Sequence, residues 1–318
     1  MFIKQYVMAK FICAQPANTY YLWQVEVMIN NFIKHGINPN DMHILLSVQG
    51  ERGLGWDILV NHYKDVNFFF YNDTRSDSCY IPSIYFNLMK QHLAKHQNLQ
   101  DEALFTHDSD IVFTQKPEFD SLFSKPQWFV ADTHSYLDYN YIQSKDDAIY
   151  QQMCKIVGID PLIPKIMGKN IGGAQYVVRN TTAEFWEKVE NDSVALYKYF
   201  CEVEPYYVKK HENDYPIQKW TAGMWSYMWN GWLAGNEIVL EPKLDFVWST
   251  DSILNIDKHS ILHNAGVTDA NGDMFYKGAY INSLPYNQIV NVASNRASTY
   301  YWNEVCETAK ISPLTNKI

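Results

Sequence analysis

The chain has 318 residues, 47% hydrophobic and 15% aromatic, which is enough apolar material for a sizeable core and excludes a disordered polymer. Thirty-five acidic residues against 26 Lys or Arg leave a net charge of −9. That balance excludes capture of nucleic acid by bulk electrostatics, although a local basic patch such as Lys209-Lys210-His211 is compatible with it.

In chain order, residues 6–14 read as a first strand and not as a signal peptide, because Lys10 breaks the apolar run. Asn18 or Thr19 is placed to cap the helix that follows, in which Leu22, Val25, Ile29, Phe32 and Ile33 share a face and which Gly36 ends. Residues 43–48 and 66–71 give a second and a third strand. Residues 81–93 give a helix with Pro82 in its first turn. The stretch ALFTHDSDIVF is a fourth strand, interrupted at Asp108 and Asp110. This alternation predicts an α/β fold with a mixed, mostly parallel central sheet, in which ligands lie outside the carboxyl ends of the strands. Further on, residues 128–133 read as a strand, 146–158 as a short helix and 171–180 as a glycine turn entering a strand. Thr181 and Glu184 have the spacing of a capping box for a helix through Phe200. Residues 217–235 form an aromatic-rich helix carrying Trp225, Trp229 and Trp232, and strands follow at 238–240 and 260–263. Without a repeat or linker, the expectation is one domain over 1–318, with a nucleotide-binding half to about 115 and an acceptor half beyond it.

The five cysteines, Cys13, Cys79, Cys154, Cys201 and Cys306, contain no CxxC pair, so free thiols in a reducing compartment are expected. There is no run of 18 apolar residues, so a membrane-spanning helix is not expected, and the reading is a cytoplasmic protein.

Asp108 and Asp110 set the chemical question. Two acids at the end of a buried strand repel each other, and one takes up a proton unless a cation lies between them. Oxygen ligands of this kind suit Mg²⁺ or Mn²⁺, with open positions left for phosphate oxygens. His263, at the end of a late strand and before the turn Asn264-Ala265-Gly266, is placed to complete such a site, with Gly266 allowing close approach of a ligand. Lys277 offers a point charge for a phosphate. In IGGAQYVV, Gly172 and Gly173 permit unusual backbone or a sugar ring against the chain, and the Gln175 amide can meet a sugar hydroxyl. Asp245 and Asp214 are the acids available as a base or an acceptor anchor. The stretch from Trp220 to Trp232 offers stacking faces or, more plainly, core.

The order DSDIVFTQKP, IGGAQYVV, WTAGMWSYMW, ILHNAG resembles glycosyltransferases of the GT-A fold, and within them the peptidyl hydroxyproline arabinosyltransferase and serine galactosyltransferase group and its uncharacterised viral relatives. His263-Asn264-Ala265-Gly266 is similar to the HxxG motif of retaining transferases, although the KPW ending of that motif is missing. The resemblance implies that Asp108, Ser109 and Asp110 bind metal and nucleotide sugar and that His263 joins the metal. It places Gly173 and Gln175 against the donor sugar, and Ala14, Gln15 and Asn18 toward the base and ribose. Tyr80 and Ser83, with Ser78 and Arg75, become further candidates for the uracil or diphosphate. The implied activity is metal-dependent transfer from a nucleotide sugar, UDP-linked by expectation, with Asp110, Gln175 and Asp245 as catalytic candidates and retention favoured. The acceptor is a glycan or a hydroxymethylated base of phage DNA, the latter needing a basic groove near Lys165, Lys169, Lys209 and Lys210. A non-catalytic sugar-binding module and a metal-dependent nucleotidyl or phosphoryl transferase are the competing readings; the second lacks a P-loop in this chain.

Overall fold

A computed structural model describes residues 9–211 and 214–315. The first part of the chain forms β1 (Ala9–Pro16), α1 (Thr19–Lys34), β2 (Met42–Val48), α2 (Leu54–His62), β3 (Asn67–Asn72), α3 (Ser83–Lys95), β4 (Ala103–His107), β5 (Ile111–Phe113) and α4 (Asp120–Phe123). The middle forms β6 (Trp128–Asp132), α5 (Tyr139–Lys145), α6 (Asp147–Val157), α7 (Leu162–Met167), β7 (Gly172–Val178), α8 (Ala183–Lys210), α9 (Ala222–Leu233) and β8 (Ile238–Leu240). The last part forms β9 (Phe246–Trp248), β10 (Ile261–His263) and α10 (Ser298–Ile311). The α/β class expected from the sequence is the one observed. Of the first strand, Tyr6 to Met8 lie outside the described residues, as do Glu212 and Asn213 beside Asp214.

The chain divides into two units, each discontinuous in sequence. One holds residues 1–72, 104–124 and 242–318, and the other holds 73–103 and 125–241. The first unit therefore draws on both of the halves expected from the sequence.

In the first unit the strands follow the order β3-β2-β1-β4. The β1–β2 and β2–β3 pairs are parallel, which requires the helical crossovers α1 and α2 between them. Strand β1 is apolar along most of its length, as a strand covered on both faces must be. Helix α1 starts where Asn18 accepts the Tyr21 N–H, and it buries Leu22, Val25, Ile29 and Phe32, whereas Ile33 is 39% exposed. Gly36 takes a left-handed φ of 84°, which ends the helix. A small second sheet, β5-β10-β9, stands in the same unit.

In the second unit β7, β6 and β8 are neighbours, β6 running antiparallel to β7 and parallel to β8. Helix α8 differs from expectation at both ends. Its N-cap is Thr182, which accepts the Phe185 N–H at 3.2 Å, while Thr181 is buried one residue earlier. The S/T-x-x-E spacing selected the wrong one of two adjacent threonines. The helix also continues past Phe200, through Pro205, to Lys210, because buried Tyr207 extends its apolar face. Trp225, Trp229 and Trp232 of α9 are core, with only Trp220 ahead of them exposed, at 58%.

The glycine turn has a packing cause. A Cβ on Gly172 would stand 2.0 Å from the Ala131 carbonyl oxygen, and one on Gly173 would stand 2.0 Å from Met224 Cε. The left-handed φ expected of the glycines falls instead on Ala174, at 70°. The short strand β9 and the helix α10, both in the first unit, are additions to the elements expected from the sequence.

Candidate metal and diphosphate site

The site lies wholly in the first unit, and strand register builds it. Leu104 and Phe105 of β4 are fully buried, and the chain leaves that strand at His107. It turns through Asp108-Ser109-Asp110 and re-enters as β5, all three residues of which are buried. Asn31 of α1 holds β5 in place by pairing with both backbone groups of Phe113: its Oδ1 accepts the N–H at 2.7 Å and its amide donates to the carbonyl at 3.0 Å. Strand β10 runs antiparallel to β5 with His263 opposite Ile111. That register sets Asp110 beside Asn264, whose N–H donates to the Asp110 carbonyl at 2.9 Å. Two segments about 150 residues apart thus meet at their polar ends.

There His263 Nε2 stands 3.2 Å from Asp110 Oδ1 and 3.6 Å from Asp108 Oδ2. The Lys277 ammonium forms an ion pair with Asp110 Oδ2. One ligand atom from each of Asp108, Asp110 and His263 fits within 4.8 Å of the others, and among the described residues this is the one cluster of three acid, His or Cys groups able to hold a metal ion. Two rings of the neighbouring strand β9 pack on the imidazole: Trp248, its register partner, lies 6.2 Å away with planes 8° apart, and Phe246 lies at 5.3 Å. Its Nδ1 is buried without a hydrogen-bond partner among the described residues, and Nε2 is the atom that faces the carboxylates.

The electrostatics follow from this packing. Burial opposes ionisation of Asp110, yet the Lys277 ammonium and then His263 hold its carboxyl well below the usual carboxylate range. Asp108 goes the other way: its enclosed surroundings raise it, and the neighbouring Asp110 charge adds to the effect while His263 counters it. Its side chain is 51% exposed, so water tempers that burial and Asp108 remains open to a ligand. Burial opposes protonation of His263, but the two aspartates more than offset it and the imidazole pKa lies above its ordinary value. Two anions, one ammonium and one polarised imidazole converge here, and the donor set of two carboxylates and a nitrogen fits a hard or borderline divalent ion.

Other residues predicted from the sequence fall in several places. Ala14 and Gln15 are buried at the carboxyl end of β1, with the Gln15 amide donating to Cys13 Sγ at 3.8 Å. Asn18 is the α1 cap, and Ser109 is buried within the acidic turn. Gly266 has a φ of 80°, the left-handed conformation that glycine adopts without strain. Asp245 is not brought to the cluster. It precedes Phe246, which pairs with Ile261, so it sits three positions along the parallel β9–β10 ladder from the level of His263, roughly 10 Å away at strand rise.

In the second unit, Arg75 is spent on its own loop. It pairs with Asp73 at 2.8 Å and donates to the carbonyls of Tyr80 and Ile81 and to Ser83 Oγ. Ser83 in turn donates to the Tyr80 carbonyl, and the buried Tyr80 hydroxyl bridges the Trp220 carbonyl and the Gly223 N–H. Gln175 is fully buried, and neither atom of its side-chain amide has a hydrogen-bond partner among the described residues. Asp214 accepts from the Tyr207 hydroxyl at 2.5 Å and pairs with Lys145 at 3.1 Å, while Lys210 pairs with Asp146.

Tyr20, Tyr21 and Tyr301 also border this site without being marked by any motif of the sequence. All three feel the charge of Asp110, and Tyr20 also feels that of Lys277. The signal for the first two was present: they open the helix that follows the carboxyl end of β1, where ligands of parallel sheets lie.

No protein-family model matches the chain, and no curated protein matches it. Solved structures similar in fold include the apo form of the bifunctional glycosyltransferase WbbM, at 12% identity over 97% of this chain and 50% of that one, TM-score 0.47. The galactosyltransferase LgtC in complex with donor and acceptor sugar analogs is similar at 10% identity over 94% of this chain and 96% of that one, TM-score 0.43. The apo glycosyltransferase GlyE of Streptococcus pneumoniae TIGR4 is similar at 12% identity over 97% and 62%, TM-score 0.45. The chain thus spans half the length of WbbM. Likeness of this degree says nothing about chemistry, which has to come from the site. Among the described residues no helix is long and apolar enough to cross a membrane.

Proposed function

We propose that the chain is a metal-dependent glycosyltransferase of the GT-A type that moves a sugar from a nucleotide sugar, UDP-linked by preference, to an acceptor hydroxyl. The observation that carries this reading is the convergence of Asp108, Asp110 and His263, from two distant segments, with the Lys277 ammonium on the same carboxylate. A purely structural acid cluster has no need of an open, half-exposed Asp108 beside a buried, ionised Asp110.

Asp108, Asp110 and His263 would hold Mn²⁺ or Mg²⁺. A divalent ion so bound supplies positive charge against which a departing nucleoside diphosphate is stabilised. Lys277 adds a second positive charge for the diphosphate, and its burial strengthens that interaction relative to water. Trp248 and Phe246 keep the His263 ring from turning away. Ala14, Gln15 and Asn18 are assigned to the nucleoside and Gly173 and Gln175 to the sugar, on the sequence resemblance. An amide with two unmet hydrogen bonds is suited to a sugar hydroxyl. The acceptor hydroxyl oxygen would bond to the anomeric carbon on the face from which the diphosphate departs, the carbon–oxygen bond to the diphosphate would break, and the hydroxyl proton would pass to the departing diphosphate oxygen, so that retention is the preferred outcome. Acceptors are glycans or hydroxymethylated DNA bases; the pairing of Lys210 with Asp146 weakens the case for DNA.

The test is release of free UDP from a panel of UDP-sugars in Mn²⁺, followed with and without a chelator. The expected result is release from at least one donor, abolished by chelation. Release that persists in the chelator, or none across a nucleotide-sugar panel, overturns the reading.

A further inference from the structure

We infer that Lys277 is a built-in rival to the metal: its ammonium and a divalent cation compete for Asp110, and a bound diphosphate draws the lysine off, so that metal and nucleotide bind cooperatively through this one side chain. The inference rests on the metal and diphosphate reading of the site given above.

Asp110 has two carboxylate oxygens, and both are taken. His263 Nε2 faces Oδ1 at 3.2 Å and the Lys277 ammonium holds Oδ2. A cation entering between Asp108 and Asp110 meets an ammonium already seated on one of its ligands. Charge count makes the conflict plain. Two carboxylates and one ammonium, with the imidazole in the neutral form that a metal ligand must take, sum to −1. A divalent ion turns this to +1 and sets two cations against each other in a mostly buried space, where their repulsion is several-fold stronger than in water. A diphosphate, bringing two or more negative charges, relieves that repulsion and gives the ammonium a new partner.

The backbone around Lys277 is fixed, so the exchange falls to its flexible side chain. Lys277 opens a short 3-10 turn, Lys277–Tyr280. The Tyr280 carbonyl accepts from Trp23 Nε1 at 3.4 Å, and the Trp23 ring packs edge-on against Phe275 at 5.8 Å and Tyr280 at 6.4 Å. Gly278 keeps the turn tight, since a Cβ there would stand 2.2 Å from the Tyr276 ring. One helical turn before Trp23, on the same face of α1, is Tyr20, which lies within electrostatic reach of the ammonium. A four-carbon stem anchored on a pinned turn can swing its head between Asp110 and a phosphate without moving the chain.

Linkage then requires reciprocity: whatever factor the diphosphate contributes to metal affinity, the metal contributes to diphosphate affinity. The test is Mn²⁺ binding to the full chain, read by the electron paramagnetic resonance of free Mn²⁺, alone and with saturating UDP. Wild type is expected to bind Mn²⁺ at least about tenfold more tightly with UDP than without. Lys277→Gln, with the rival removed, is expected to bind Mn²⁺ alone about five-fold more tightly than wild type and to lose most of the UDP enhancement. Lys277→Met should do the same and stands in if the glutamine variant does not fold. Lys277→Arg, which keeps the charge, should track wild type without UDP. Mn²⁺ affinity of the neutral variants equal to or weaker than wild type in the absence of UDP overturns the rivalry and leaves the metal site standing. Wild type that binds no Mn²⁺ with or without UDP overturns both.

Discussion

Asp110 and Glu26 are both buried carboxyls of the first unit, and their surroundings differ in kind. Around Asp110 stand an ammonium and an imidazole. Around Glu26, among the described residues, the hydrogen-bond donors are hydroxyls: Tyr286 donates to Oε2 at 2.6 Å, Ser312 to the same oxygen at 2.8 Å, and Tyr63 to Oε1 at 3.3 Å. Three hydroxyl donors do not offset the loss of water, and the Glu26 carboxyl is pushed up to about 7, whereas Asp110 stays ionised. Hydroxyls suffice to hold a carboxyl in place, and charges are needed to keep it an anion. The first arrangement ties α1 to the loop at Tyr286 and to the segment after α10; the second preserves a negative site for a cation to use.

The largest expected effect breaks the comparison on the Asp110 side. Asp108→Asn with Asp110→Asn should lower UDP release by about a thousand-fold, the loss typical of removing a principal electrostatic element. The melting temperature should stay within a few degrees of wild type, because Asn keeps the volume and the β5–β10 register comes from backbone bonds and Asn31. Turnover within tenfold of wild type in the folded double variant would mean that these acids are not the reacting centre.

The two sites also differ in how far the sequence disclosed them. The acidic turn was visible because apolar runs flank it and two like charges end a buried strand. His263 was visible because a small-residue turn follows an apolar strand. What brings them together, His263 opposite Ile111, is a register between short strands, and three-residue strands carry too little alternation to specify one. Lys277 could be suspected but not placed, since the loop from residue 264 to 276 has no periodicity to follow. The Glu26 hub was invisible: its Ser312 partner is 286 positions away, and a lone Glu on an apolar helix face gives no local sign of what will satisfy it. Arg75 shows the converse, because a free-looking basic residue before a helix turned out to be fully used in capping its own loop. Residue type announces chemistry, but only the fold decides whether that chemistry is already spent.

On the other side of the comparison, Glu26→Ala should cost stability and spare activity. It leaves the Tyr286 and Ser312 hydroxyls without their acceptor and opens a cavity at a fully buried position, together about 3 kcal/mol. Thermal unfolding should show a fall of roughly 5 °C for a chain of this size. UDP release per folded molecule should remain within about twofold of wild type, since Glu26 holds helices and touches no ligand of the proposed site. Glu26→Gln, which keeps an acceptor oxygen, should cost about 1 kcal/mol. An activity loss in Glu26→Ala as large as that of the double asparagine variant would erase the distinction between the two carboxyls.

The most gradual effect, at most about 1.4 kcal/mol per pH unit, is the pH dependence of stability that Glu26 imposes. An unfolded glutamate releases its proton near 4.5, and the folded one near 7. Between those values the folded chain holds the proton and the unfolded chain does not, so folding is favoured by protonation. The contribution of Glu26 is therefore complete below pH 4.5 and is lost as pH rises through 7, at a rate of at most about 1.4 kcal/mol per pH unit and on the order of 3 kcal/mol in all. Denaturant unfolding between pH 4.5 and 7.5 should show this decline superposed on the opposite trend from the chain's paired carboxylates. Glu26→Gln, which cannot titrate, should remove it, so the difference between the two proteins isolates the hub. A difference in unfolding free energy that stays constant across the window would show that Glu26 is ionised in the folded chain, and the contrast between a neutral structural carboxyl and a charged functional one would then rest on Asp110 alone.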